Sequence, residues 1–501
     1  MKLIGLLHNI DYEIIKGNLN IDINDICYDS RKVKNNDLFI CLVGSSSDGH
    51  DYIDSAINNG AKCIIIEKDI DIGADVTVIK VDNTRRYLSR LSINFFGNPS
   101  SEMITIGITG TKGKTTTSWM IKNILEEDGK SVGVIGTMGI FYGNKHYETV
   151  NTTPESYEIQ KYLREMVDNG VKYLVMEVSS QALKVGRVDG MMFDYGVFTN
   201  LTRDHVGEGE HPDMEDYIYS KSLLFKMCKY GVFNADDDHY KDMIRDCTCS
   251  INTYGYDKNS DLVITDTKLL RKEHFIGVEV CTDGIIKDNI LINTPGLFSV
   301  YNGICATLVT KLLGCDINSI KNALKKVAVK GRVEIVPVSD KYSVIIDYAH
   351  NGVSMENILK TMREYNPKRI VSLFGCGGNR SRDRRYDMGE ISGKYADFTI
   401  ITEDNSRLED VNDIMNDIET GIKKTNGKYI KIADRSEAIR YALDNAMEGD
   451  IILLLGKGHE TYQDKNGIRV HYDEREVINS IINNNSISKY YLCLVILVWS
   501  S

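Results

Sequence analysis

The sequence predicts an α/β protein in three domains, built on mostly parallel sheets with helices on their faces. Three observations predict it. Apolar runs such as MITI, YLVME, YGVF, SVII, RIVSLF and DIILLL alternate with helix-length amphipathic stretches. A chain of 501 residues exceeds one typical hydrophobic core. Nearly every chemically suggestive cluster directly follows a buried run, and open α/β sheets bind ligands beyond the carboxyl ends of their strands.

Taken in order, the first block spans 1–98, contains CYDSRKVKNNDLFICLVG and CIIIEK, and reads as a smaller α/β domain ending near GNPSS. The second, 99–331, opens on MITIGITG and continues through YLVMEVSS and YGVFTNL, a central nucleotide-binding domain with a mostly parallel sheet. The third, 332–485, starts near GRVEIV and carries SVIIDYAH, RIVSLFGCGG, DFTIIT and DIILLLGKGHE, a Rossmann-like pattern. Two such sheets with facing strand ends would frame a cleft around a nucleotide. Residues 486–501 form an atypical tail whose apolar run YYLCLVILVW, 490–499, covers about half a membrane span and reads as an extension rather than a span.

Composition narrows the function. A net charge of −11 argues against nucleic acid as the main partner. Eleven cysteines lie without CxxC pairs, CTC at 247–249 coming nearest, which suits a reduced cytoplasmic chain rather than a disulfide scaffold or zinc site. The segment MKLIGLLHNIDYEIIKG lacks the apolar core and small-residue cleavage site of a signal peptide.

The stretch GITGTKGKTTTSW, 107–119, carries the plainest chemistry. Glycines admit an anion close to backbone N–H groups, and a following helix adds its positive dipole end. Lys114 contributes charge and Thr115 a hydroxyl for magnesium, so the stretch points to a nucleoside triphosphate with Mg²⁺. The eight-residue phosphate-loop pattern would require glycine at Ile108; the match is the shorter G-T-x-G-K-T of Gly110, Thr111, Gly113, Lys114 and Thr115. Met120, Ile124 and Leu125 mark the buried face of the following helix, and Gly129 its stop.

This variant loop resembles that of the Mur ligase family, which joins amino acids to carboxylates using ATP. DSRKV, DLFICLVG, DGHDYI, NTTPES, MEVSSQAL, FTNLTRDH, GRVEIV, DYAHNG, FGCGGNR, DNSR and GKGHE extend the resemblance from about residue 25 to 478. It is strongest to members that add the third residue of the peptidoglycan stem peptide. The resemblance implies UDP-MurNAc-L-Ala-D-Glu, meso-diaminopimelate and ATP as partners, Mg²⁺ as cofactor, an acyl-phosphate intermediate, and a monomer in the cytoplasm.

By the same resemblance, Gly110, Thr111, Lys112, Gly113, Lys114, Thr115, Thr116, Asn302, Arg332, Asp347 and His350 hold ATP. Lys114, Glu177, His205 and Lys221 are catalytic, and Thr115, Glu177, His205 and Lys221 (as a carbamate) stand around the metal. Read alone, Lys221 is a solvated helix lysine. Ser30, Asn151, Thr152, Thr153, Ser179 and Arg187 match contacts to the UDP-muramoyl dipeptide. Gln181 stands where many relatives carry histidine, and Asn351-Gly352 follows DYAH in place of the frequent Thr-Pro.

Arg380, Asp404, Asn405, Ser406, Arg407, Gly456 and Glu460 match amino-acid contacts. Diaminopimelate-adding members carry DNPR, whose arginine can meet the distal carboxylate bidentately. Here the motif is Asp404-Asn405-Ser406-Arg407, so the arginine stays and the fixed φ of proline is lost. Other readings are the same reaction with L-lysine or another diamino acid, a folylpolyglutamate synthetase-like ligase, and a nonenzymatic nucleotide-binding module.

Overall fold

A computed structural model describes residues 1–44, 47–204, 206–207, 210–272 and 275–483. Their packing separates two compact units. The first takes 1–264, 283–287 and 301–323; the second takes 265–282, 288–300 and the described chain from 324 onward.

The first unit contains two sheets. Near the N-terminus, Ile26–Cys27, Leu38–Ile40, Cys63–Ile66 and Thr77–Lys80 run parallel, and Glu13–Lys16 closes one edge antiparallel. Cys63–Ile66 is buried throughout because both faces are covered, so the run CIII shows no polar alternation. The helix Thr84–Phe96 is capped by Asn83, stops at the left-handed Gly97, and contributes Tyr87, Leu88 and Leu91 to the core.

In the second sheet of this unit Ser250–Gly255, Cys228–Asn234, Phe193–Phe198, Ile104–Thr109, Tyr173–Glu177 and Val132–Gly136 run parallel in that spatial order. Ile104–Thr109 lies in the middle. Glu177 is level with Ile108 on one side and Phe198 with Thr109 on the other, so three strands end together. The segments leaving them meet at one edge.

In the second unit, Ser343–Asp347, Asp450–Leu455, Arg369–Phe374, Phe398–Ile401 and Tyr429–Lys431 run parallel in that spatial order, with Glu334–Val336 antiparallel at the edge. Strand alternation feeds two cores. Ile345 and Leu453 pack with Met355, Leu359, Met388 and Ile418 of the helices Gly352–Arg363, Arg382–Tyr395 and Val411–Ile422. Val344, Ile346 and Leu454 face Ala438 and Ile439 of Arg435–Asp444, together with Ile478 in helical residues 474–483. A separate hairpin pairs Tyr462–Lys465 with Ile468–His471.

Among the described residues no helix is long and apolar enough to cross a membrane. The apolar run 490–499 lies outside the described residues.

Candidate active site

The first constellation grows from the end of Ile104–Thr109. Gly110 and Gly113 turn the chain through positive φ, 151° and 84°, and the helix Lys114–Glu127 begins at once. A side chain at Gly113 would overlap the amide oxygen of Asn302, which also accepts the Thr117 hydroxyl at 3.3 Å. Asn302 therefore lies against the loop and leaves room only for glycine.

Neighbouring strand ends clamp this loop. Asn200 accepts the Lys112 N–H through Oδ1 at 2.9 Å and donates from Nδ2 to the Lys112 carbonyl at 3.0 Å. The Thr199 hydroxyl donates to that same carbonyl at 2.8 Å, and Thr111 N–H donates to the Asn200 carbonyl at 2.9 Å. The first-turn amides of the helix face the loop, an anion site by both hydrogen bonding and dipole. Lys114 folds over the loop, its Nζ donating to the carbonyls of Gly110 at 2.7 Å and Thr111 at 3.3 Å. Lys112 is exposed and pairs with Asp204 at 3.0 Å, while Thr116 is buried in the helix's first turn.

Glu177 closes its strand with 1% exposure. Its Oε2 accepts the Thr115 hydroxyl at 2.9 Å and the Thr137 hydroxyl at 3.0 Å, while Oε1 accepts Thr137 N–H at 3.0 Å. These are hard oxygen donors, the set that suits Mg²⁺. Among the described residues no three His, Cys, Asp or Glu side chains are grouped to hold a metal by themselves. A protein hydroxyl and one carboxylate completed by phosphate oxygens and water fits the same ion. His205 lies outside the described residues.

Lys221 corrects the reading of it as a solvated lysine. It belongs to the helix Met214–Ser222, is 1% exposed, and donates from Nζ to the Gly110 carbonyl at 3.0 Å. Its ammonium sits 4.5 Å from the centre of the Tyr217 ring. Burial, and then the charge of Lys114, hold its pKa well below the ordinary lysine value, with Asp204 opposing. The sequence conceals this because charge and helical spacing look the same on either face of a helix.

The threonine pair extends the network. Thr152 and Thr137 hydroxyls are 3.1 Å apart, and the Thr153 hydroxyl donates to the Glu177 carbonyl at 2.9 Å while accepting Ser179 N–H at 3.0 Å. Ser179 caps the short helix Ser180–Lys184. Arg187 donates to the Thr153 carbonyl at 2.9 Å and pairs with Glu155, which also holds Arg85. Asn151 is exposed beside this group. Ser30 lies apart in the N-terminal sheet's domain, buried at the start of a turn capped by Asp29, with its carbonyl accepting Asn59.

The second constellation lies in the C-terminal sheet. Asp347 ends its strand and accepts Val333 and Ala349 N–H groups, each at 2.8 Å; burial raises its pKa against the pull of Arg332. The Arg332 guanidinium lies 5.1 Å from the Tyr348 ring centre. His350 is exposed and bonds through Nδ1 to the Tyr348 carbonyl at 2.8 Å.

A cavity of about 280 Å³ opens beside them, and it gathers His350, Arg380, Asp404, Asn405, Arg407, Gly456 and Glu460. Ser406 is absent from its walls. Asn405 donates to Glu460 at 2.9 Å and accepts buried Lys457 at 3.2 Å. Lys457 also pairs with Glu460 at 3.3 Å and Asp404 at 3.5 Å. Burial raises the Glu460 pKa, with Lys457 pulling it down. Arg407 has φ of 52° and donates to the Gly378 carbonyl at 3.2 Å.

Several residues of these sites escape sequence reasoning: Asn200, Thr137, Tyr217, Lys457 and Arg384, the last lining the cavity of the C-terminal sheet. Asn200 and Lys457 fall inside FTNL and GKGHE, where position beyond a strand is the available signal. Thr137 and Tyr217 carry none.

Three family models match the chain: "Mur ligase family, catalytic domain" over 22–96, "Mur ligase middle domain" over 108–310, and "Mur ligase, glutamate ligase domain" over 331–458. A UDP-N-acetylmuramoyl-L-alanyl-D-glutamate–2,6-diaminopimelate ligase of Caldanaerobacter subterraneus subsp. tengcongensis is 44% identical over 483 residues, covering 96% of this chain and 99% of the relative. One of the same name from Clostridium perfringens is 41% identical over 491 residues, covering 96% and 99%. A solved structure of a ligase so named superposes with TM-score 0.72 at 27% identity, covering 97% of this chain and 99% of the other. With matched models spanning most of its length and relatives this similar end to end, the chain belongs to the Mur ligase family.

Proposed function

We propose that this chain is an ATP-dependent ligase that adds meso-diaminopimelate to the D-glutamate γ-carboxylate of UDP-MurNAc-L-Ala-D-Glu, in peptidoglycan precursor synthesis. The carrying observation is the cavity in the C-terminal sheet, where Arg380 and Arg407 share one wall system with Asp404 and Glu460. Guanidinium groups suit the carboxylates of a diamino diacid, and carboxylates suit its ammonium groups. L-lysine would leave one guanidinium without its anion, a large penalty in a desolvated site.

Two anions must react. The γ-carboxylate takes the terminal phosphoryl group of ATP, giving ADP and an acyl phosphate; the amine then displaces phosphate through a tetrahedral intermediate. In this reading Lys114 and the loop amides of 110–116 gather negative charge and orient the phosphates, with Asn302 fixing the loop. Thr115 and Glu177 would hold Mg²⁺, which supplies further neutralisation of phosphoryl charge. The depressed Lys221 amine is poised to take up carbon dioxide: the neutral nitrogen bonds carbon, one C=O π bond opens onto oxygen and the N–H proton leaves, so a neutral buried amine becomes an anionic carbamate. Thr152, Thr153, Ser179 and Arg187 supply hydroxyls and charge for the muramoyl dipeptide, and Ser30 a contact for its uridine end. Domain labour follows as 1–98 for the UDP end, 99–331 for ATP and 332–485 for the amino acid. The ten free cysteines of the described residues accord with a cytoplasmic site of action.

The test supplies purified enzyme with ATP, Mg²⁺, UDP-MurNAc-L-Ala-D-Glu and either diamino acid, following phosphate release and product mass. Phosphate release that requires both the dipeptide and meso-diaminopimelate is expected. Preference for L-lysine, or ATP hydrolysis indifferent to acceptors, would overturn the reading.

A further inference from the structure

Ser406 stands at the proline position of the arginine motif, yet it does not line the cavity. It is 6% exposed, and its hydroxyl donates at 2.8 Å to Oε1 of Glu403. The other oxygen of that carboxylate meets Lys465 Nζ at 2.5 Å. Lys465 in turn forms an isolated parallel bridge with Arg407. Four residues thus close a ring: serine to glutamate, glutamate to lysine, and lysine to the backbone of the arginine that follows the serine.

The ring has a fixed frame. Arg407 N–H donates to the Asp464 carbonyl at 2.9 Å, and the Arg407 carbonyl accepts Asn466 N–H at 2.6 Å, so the hairpin grips both sides of a residue in the left-handed region. The same hairpin donates from Gln463 Nε2 to the Asp404 carbonyl and from Asp464 N–H to Asn405 Oδ1, each at 3.0 Å. Glu403 is anchored separately. Its N–H donates to the Ala433 carbonyl at 3.2 Å, and its carbonyl accepts Arg435, itself buried against Glu474. On the opposite side a side chain at Gly378 would overlap the Ser406 carbonyl, so the GCGG turn presses directly on the segment.

We propose that Ser406, Glu403 and Lys465 are positioning residues for Arg407, tying the arginine segment to the hairpin Tyr462–Lys465/Ile468–His471 in place of a proline's fixed φ. The proposal rests on the diaminopimelate reading above. None of the three touches the amino acid; they act by holding the guanidinium where its second carboxylate must arrive, and small displacements there are costly. Proline at the position would remove no backbone hydrogen bond, because the Ser406 N–H makes none among the described residues.

The experiment uses the full-length enzyme and the variants Ser406→Ala, Glu403→Gln, Lys465→Met, Ser406→Pro and the double Ser406→Ala/Lys465→Met. KM for meso-diaminopimelate, KM for ATP and the preference over L-lysine are measured. Each of the first three is expected to raise KM for meso-diaminopimelate about tenfold and to lower the preference, with KM for ATP held. Ser406→Pro should restore wild-type values, and the double variant should be no worse than its worse parent, because one ring is broken once. Unchanged KM for meso-diaminopimelate, parallel loss in KM for ATP, or effects that multiply in the double variant would overturn the positioning role. A wild type that prefers L-lysine would instead overturn the reading beneath it. The two failures are distinguishable.

Discussion

Two lysine side chains, Lys114 and Lys221, donate from Nζ to the one carbonyl of Gly110. Lys221 is the buried member, and its depressed pKa has a measurable sign. The unfolded chain keeps the ordinary lysine value of 10.5, so between the lowered folded value and 10.5 it binds more protons at this amine than the folded chain does. Stability from this group therefore rises with pH up to that value. In buffers purged of carbon dioxide, Lys221→Met should lose that part of the alkaline slope in denaturant titrations; an unchanged slope would show the amine to be solvated. His459 offers a matching case at the acid end. Burial, with Arg332, Lys330 and Arg475 adding repulsion, lowers it to about 4 from 6.5. The unfolded chain protonates first, so its contribution is complete above 6.5 and is lost as pH falls towards 4, by up to roughly 3 kcal/mol. His459→Gln should flatten that acid limb. Glu177→Gln keeps the shape but removes the charge facing Thr115 and Thr137, and kcat should fall by about 100-fold or more with the fold intact by circular dichroism.

At the level of elements, the loop and its helix were legible because strand, glycines, lysine, hydroxyl and buried face come in an order that physics requires. Met120, Ile124 and Leu125 are fully buried, and the helix gives way at Gly129 with φ of 75°. Gly113→Ala places a methyl against Asn302 and asks a left-handed φ of alanine, a cost of about 1–2 kcal/mol before the overlap is counted. KM for ATP is expected to rise about tenfold in steady-state assays, more than KM for either acceptor. The hairpin that grips Arg407, Tyr462–Lys465 with Ile468–His471, is the element the reading missed, although its signal was present. Asn466-Gly467 lies between short runs, both residues at positive φ, and Asn-Gly is the strongest short hairpin mark. Lys221 and the Ser406–Glu403 bond had no such mark. Which face of a helix is buried, and which of two nearby carboxylates a hydroxyl meets, depends on residues distant in the chain.

For the whole molecule, charge and topology speak separately. With a net charge of −11, the protein should bind an anion exchanger and pass through heparin at about 0.15 M salt; retention on heparin would reveal a basic face that the sequence total hides. The alternation of strands and helices announced the three mostly parallel sheets. Strand order did not follow from it, because it depends on how each crossover packs. It is strand order that puts Ile104–Thr109 between Tyr173–Glu177 and Phe193–Phe198.

That central placement works as a ruler. Groups separated by scores of residues are brought to a spacing set by backbone pairing, about 4.8 Å per neighbour, rather than by the length of whatever joins them. Lengthening an outer helix or its turns leaves those distances alone. A slip of one residue in the Tyr173–Glu177 register would swing the carboxylate to the sheet's other side and separate it from Thr115 while scarcely altering the silhouette of the molecule.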